Sequence, residues 1–201
     1  MTLDRLRPVV SRALDPFVSA AAALGLTPVG VSLVAFATAI LAAGAFVLAT
    51  PIAYVAGAVL VFLNGWFDLV DGALARRQGV ESHAGDLLDH VLDRYADVLV
   101  IGGLAAGIDA YALGLASVTG VLLTSYMGTQ IQAIGLGREY GGLVGRADRL
   151  ALIGVASVLA AVAPQLRVAG VGAIGGLLAL LAVVGHLTAL QRFLGAWASL
   201  E

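Results

Sequence analysis

The sequence contains no cysteine and no lysine, and only 12% of its 201 residues are charged. A soluble domain carries about 25% charged residues. Without cysteine there is no disulfide framework, no thiolate nucleophile and no sulfur-ligated metal site. The 11 basic residues, all arginine, nearly balance 13 acidic ones, and a net charge of −2 excludes a basic nucleic-acid-binding surface. Apolar residues make up the difference, at 60% of the chain, with a mean hydropathy of +0.99. These values exclude both a cytosolic globule and a disordered chain, and they predict an integral membrane protein.

Between Asp15 and Asp68 lie 52 residues without Asp, Glu, Lys or Arg. As one helix this run would reach about 78 Å, far beyond a hydrocarbon core of about 30 Å, so it must be divided. Thr27-Pro28 and Thr50-Pro51 are the natural breaks, because proline ends one helix and suits the first turn of the next. Later uncharged runs are interrupted by the lone charges Asp109 and Arg167, each suited to a turn between crossings. The expected crossings are 28–49, 51–77, 82–107, 111–134, 146–163 and 167–193. Residues 1–24 place Leu3, Leu6, Val9, Val10, Leu14 and Phe17 at helical spacing among charges, the pattern of an amphipathic interfacial helix. The expected fold is therefore all-α: an N-terminal amphipathic juxtamembrane helix over 1–24, then a six-helix transmembrane domain over 25–201. This layout puts Arg5, Arg7, Arg12, Arg76, Arg77, Arg138, Arg146, Arg149 and Arg192 on one side and only Arg167 opposite. By the positive-inside rule the arginine-rich side is cytoplasmic, in a multi-pass protein of the cell membrane.

Most of the acids within crossings fall in one stretch, from Asp68 to Asp97. Carboxylates at membrane depth are expensive and mark functional sites. Asp68 and Asp71 are spaced i, i+3 and share one helix face; Asp89 and Asp93, spaced i, i+4, share another. The short connection between the two helices makes them antiparallel neighbours, so the four carboxylates converge. Four anions in a low-dielectric pocket repel unless cations neutralise them. Oxygen-only ligands favour hard ions such as Mg²⁺, Mn²⁺ or Ca²⁺, and two metals at four carboxylates suit displacement at phosphorus. Gly72, Ala75 and Gly85 clear space on the same helices for a bulky ligand or a neighbouring backbone, while Arg76 can grip a phosphate.

The spacing D-x2-D-G-x2-A-R-x8-G-x3-D-x3-D, with all eight specified residues present from Asp68 to Asp93, resembles the signature of the CDP-alcohol phosphotransferases. The resemblance extends to the six-crossing layout, the preceding amphipathic helix and the Thr27-Pro28 helix start. It implies transfer of a phosphatidyl-type group from a CDP-linked lipid to an alcohol, release of CMP, and a homodimer. It also implies that Asp68, Asp71 and Asp89 are metal ligands, and that Asp93 completes the metal site and acts as general base. Asp68, Gly72, Ala75, Arg76 and Gly85 would hold the CDP moiety. The cofactors expected are two divalent cations, Mg²⁺ or Mn²⁺.

Arg138, Arg146, Arg149 and Arg192 gather near the same end of the bundle and suggest an acceptor that carries its own phosphate. The segments 145–150 and 187–192 resemble the inositol-phosphate-using branch of the family, which includes archaeal enzymes making ether lipids. Where relatives often have a basic stretch at the end of the fourth crossing, this chain has Gly128-Thr129-Gln130-Ile131-Gln132. Glycerol phosphate and serine are the next acceptors in line, and a divalent-cation transporter is the alternative from another class. Asp97 is expected to pair with Arg94 or with an arginine of the fifth crossing. His83, His90 and His186 read as loop or packing residues, and Glu81-Ser82 as a helix start.

Overall fold

The computed structural model describes residues 7–137 and 144–200, with side chains from Ala13 onward. Its helices are α1 (Arg7–Ala23), α2 (Pro28–Leu48), α3 (Pro51–Gln78), α4 (His83–Gly107), α5 (Tyr111–Ala133), α6 (Arg146–Val162) and α7 (Ala173–Ala198). Four of them, α2, α3, α5 and α7, are long and apolar enough to cross a membrane, which makes the chain a multi-pass membrane protein. Residues 1–6 and 138–143, and with them Arg5 and Arg138, lie outside the described residues, as do the side chains of Arg7, Val9, Val10 and Arg12.

The breaks read from sequence are built as capped ends. Thr27 Oγ1 accepts from the Gly30 amide at 3.1 Å and Thr50 Oγ1 from the Ala53 amide at 3.3 Å, each with proline at the first helical position. Gly79 closes α3 in the left-handed region at φ 65°, and Ser82 Oγ then caps α4 by accepting from the Gly85 amide at 3.1 Å. At the start of α6 the Asp148 carboxylate accepts from the Gly145 amide at 3.0 Å.

One boundary departs from the sequence expectation. Arg167 does not open the last helix; it lies in a short antiparallel hairpin pairing Arg167–Val168 with Val171–Gly172. Ala169 at φ 51° and Gly170 at φ 81° form its two-residue turn, which requires the left-handed region. The last helix therefore starts at Ala173 and runs on to Ala198.

The bundle packs α2 against α3 and α4, α3 against α6, and α5 against α4 and α7. Phe46, Ile101, Leu104, Ile153 and Leu178 are fully buried at its centre. Small residues permit the closest approaches: a Cβ on Gly103 would lie 2.5 Å from the Ala43 carbonyl oxygen, and one on Gly185 only 2.6 Å from the Gly120 carbonyl carbon. On the flank, Leu14, Val18 and Ala21 of α1 pack on Val70 and Leu74 of α3. Phe17 meets Trp66 edge-on at 5.1 Å, and Arg77 donates to Ser19 Oγ at 2.6 Å.

Candidate active site

The acids of α3 and α4 converge as their spacing predicts. Asp68, Asp89 and Asp93 each offer an oxygen within 4.8 Å of the others. Asp71 lies beside them, 6% exposed, and lines the same small cavity with Ser32, Asn64 and Arg146. Its Oδ2 accepts from Ser32 Oγ at 2.6 Å, which ties α2 into the site. Three clustered, partly buried carboxylates with no nitrogen or sulfur donor form a set suited to a hard divalent cation.

Arg146, at the first position of α6, reaches into this cluster. Its Nη1 lies 2.7 Å from Asp68 Oδ2 and its Nη2 2.6 Å from Asp93 Oδ1. The pairing of α3 with α6 thus has an ionic component that the helix pattern does not reveal. Asn64 braces the same guanidinium: its Oδ1 accepts from Nη2 at 3.4 Å while its Nδ2 donates to the Ala35 carbonyl at 2.9 Å. Arg146 Nε is buried without a partner among the described residues. Ser32 and Asn64 are site residues that the sequence reading missed; Asn64 could have been noticed as the one amide side chain within the long uncharged run.

One turn beyond Asp93, Asp97 takes a bidentate pair of hydrogen bonds from Arg149, at 3.2 Å from Nε and 2.7 Å from Nη2. Arg94 bridges the two acids, 3.2 Å from Asp97 and 3.7 Å from Asp93, and also donates to Ser125 Oγ. Asp97 thus pairs with both partners considered from sequence. Arg192 donates to the Thr124 carbonyl at 2.6 Å. Asp86 is exposed, and its carboxylate lies 3.5 Å from His90 Nδ1.

At Gly72 the protein's own packing leaves room for a side chain: a Cβ there would meet only Arg76 Nη1, at an ordinary 3.5 Å. Gly85 is tighter, since a Cβ there would lie 3.3 Å from the capping Ser82 Oγ. Close backbone approach is therefore not what keeps Gly72 small. Arg76 is exposed and makes no ion pair among the described residues. A groove of about 1090 Å³ runs between α3 and α6, with Asp68, Asp93 and Arg146 at its polar end and Val55, Val59, Val158 and Val162 along its apolar length.

The family model for CDP-alcohol phosphatidyltransferases matches residues 22–198. The archaetidylinositol phosphate synthase of Pyrococcus horikoshii is 31% identical over 161 residues, covering 80% of this chain and 84% of its own. Among solved structures, the Mycobacterium tuberculosis phosphatidylinositol phosphate synthase with CDP-DAG bound superposes with a TM-score of 0.79 at 27% identity, covering 92% of this chain and 94% of that one. The same enzyme in complex with manganese and citrate gives 0.77 at 28% identity, covering 92% and 88%. The shared signature, the shared bundle and a family match that spans nearly the whole chain lead to one conclusion: the chain belongs to the CDP-alcohol phosphatidyltransferase family.

Proposed function

We propose that this enzyme transfers a phosphatidyl-type group, diacyl or ether-linked, from a CDP-linked lipid to inositol phosphate and releases CMP. The observation that carries this reading is the continuity of the carboxylate cluster with the apolar groove between α3 and α6. Such a site can hold the lipid chains in the groove and the pyrophosphate at the acids. Relatives named as archaetidylinositol phosphate and phosphatidylinositol phosphate synthases support inositol phosphate as the acceptor. Family membership removes the transporter reading.

In this reading Asp68, Asp71, Asp89 and Asp93 hold two divalent cations, Mg²⁺ or Mn²⁺. Charge supports a role for cations: the five aspartates at positions 68, 71, 89, 93 and 97 outnumber Arg94, Arg146 and Arg149, and a pyrophosphate diester would add about two more negative charges. When bound, the cations supply Lewis-acid stabilisation of the phosphate oxygens and of the leaving CMP.

The chain's own groups do the rest. Arg76 grips the donor phosphates, and Gly72, Ala75 and Gly85, with Asp68, leave room for the cytidine end. Arg146 fixes Asp93 by its hydrogen bond to Oδ1. The Asp93 carboxylate takes the proton of the acceptor hydroxyl as the hydroxyl oxygen bonds to the lipid-linked phosphorus. The bond from phosphorus to the bridging oxygen breaks, and CMP leaves with the electron pair. Arg138, Arg146, Arg149 and Arg192 form the acceptor-phosphate side; of these, Arg149 and Arg192 both reach the region of Thr124 on α5.

We place α4 and α6 in the membrane as the remaining two of six crossings. α4 has 25 residues but carries the site's charges, and α6 has 17, near the lower limit of about 17–25 for a span. α1 would lie in the interface, and the arginine-rich side, with the active site, would face the cytoplasm of a homodimeric plasma-membrane enzyme. The test is CMP release by the purified protein with CDP-diacylglycerol and Mg²⁺ or Mn²⁺, offering inositol phosphate, glycerol phosphate, serine and inositol separately. Release with inositol phosphate alone is expected; release with another acceptor and none with inositol phosphate would overturn the assignment.

A further inference from the structure

Asp97 belongs to no part of the eight-residue signature, yet it is the most heavily engaged acid in the interior. It is 5% exposed, as is its partner Arg149. An arginine buried to this degree without a partner would be strongly unfavourable, and breaking such a pair leaves an uncompensated charge. The manner of pairing adds something that neutralisation alone does not require. Asp97 takes Nε and Nη2, one edge of the guanidinium fork, and a bidentate contact fixes the plane of the group as well as its charge. Nη1, on the side away from that edge, has no partner among the described residues.

Arg149 lines a small, mostly apolar pocket with Val121, Leu181 and Val184, into which Thr124 of α5 and Thr188 of α7 are set as the hydroxyl-bearing members. Thr188 is 2% exposed, and its hydroxyl has no partner among the described residues. Thr124 is also the residue whose carbonyl accepts from Arg192, at 2.6 Å. Two arginines from different helices therefore converge on one turn of α5, and the orientation of one of them is set from behind by α4.

We propose that Asp97 is a positioning residue for the acceptor's phosphate: by holding one edge of the Arg149 guanidinium it turns Nη1 toward the Thr124 side of the bundle, where Arg149 acts with Arg192. This inference rests on the reading of the acceptor as a phosphorylated alcohol. Asp97 touches no substrate.

The test uses the full-length protein with CDP-diacylglycerol, Mg²⁺ and inositol phosphate. Asp97→Asn keeps the shape of the side chain and removes its charge. The acceptor KM is expected to rise by about tenfold to a hundredfold, the scale of a misplaced positioning group, with the donor KM unchanged and little change in kcat. Inhibition by inorganic phosphate should weaken in parallel, which reads phosphate affinity without acceptor turnover. If Asp97→Asn does not fold, Asp97→Glu keeps the charge and displaces the carboxylate by one methylene; wild-type melting temperature with a raised acceptor KM is then expected. An unchanged acceptor KM in the folded variant, or equal rises in both KM values, would overturn the proposal and leave the pair a structural clamp. The wild type separately tests the underlying reading. Equal use of inositol and inositol phosphate would refute the phosphorylated acceptor, and the role of Asp97 with it, whatever the variants do.

Discussion

Replacing Gly72 with alanine separates a glycine kept for a ligand from one kept for packing. The new Cβ would meet nothing closer than Arg76 Nη1 at 3.5 Å, an ordinary contact with the end of a flexible side chain. Gly72 lies within α3, where alanine is favoured over glycine by about 0.5–1 kcal/mol. Folding should therefore be unharmed or improved, with a melting temperature up by about 1–4 °C for a chain of this length. If the space above Gly72 belongs to the CDP moiety, the same methyl group should raise the donor KM by about tenfold or more, equivalent to a loss of about 1.4 kcal/mol in binding. Gly103→Ala is the control. Its Cβ would lie 2.5 Å from a backbone carbonyl oxygen and 2.8 Å from the Ala43 Cα, an overpacking that costs about 1–3 kcal/mol. That variant should melt lower while the donor KM of the folded fraction stays at the wild-type value. Both proteins would be followed by thermal unfolding in micelles and by CMP release against CDP-diacylglycerol concentration. Gly72→Ala that melts lower and binds donor normally would refute the reasoning.

Asp93→Asn preserves the shape of the site and should abolish transfer, by a factor of about 10²–10⁴, while circular dichroism and melting show a folded protein. Asp68→Asn and Asp89→Asn each remove one oxygen anion from the three-carboxylate cluster and should weaken Mn²⁺ binding measured by electron paramagnetic resonance. Removing divalent cations with a chelator should stop CMP release, and adding back Mg²⁺ or Mn²⁺ should restore it. Arg192→Ala should raise the acceptor KM more than the donor KM in the same assay.

Much of this molecule can be read from local chemistry. Thr27-Pro28 and Thr50-Pro51 specify helix starts because both the cap hydroxyl and the proline act within one turn. The aspartate pairs are legible for the same reason: spacings of three and four residues fix a shared face whatever the tertiary structure. Asp97 with Arg149 could be narrowed to a choice of partners, since a buried acid needs a cation. The start of the last helix is not legible because Val168, Ala169 and Val171 extend its apolar run back to Arg167; Ala169 and Gly170 in the left-handed region turn the segment into a hairpin. Arg146 among the carboxylates, and its brace Asn64, could not be read, since they depend on how α6 docks against α3. The groove between those helices is likewise a property of two surfaces at once.

That groove has a kinetic consequence. A donor whose chains lie between α3 and α6 while its headgroup reaches Asp68 and Asp93 never has to leave the bilayer. The quantity that sets occupancy is then the fraction of surrounding lipid that is donor, rather than its amount per volume of buffer. Diluting the donor into inert lipid at fixed total donor should slow turnover, whereas diluting the whole suspension with buffer that holds the acceptor at its original concentration should not. The polar acceptor follows the opposite rule, because it arrives through water. One active site thus reports on two concentrations with different dimensions, one per area and one per volume, so its rate couples the composition of the membrane to that of the aqueous phase beside it.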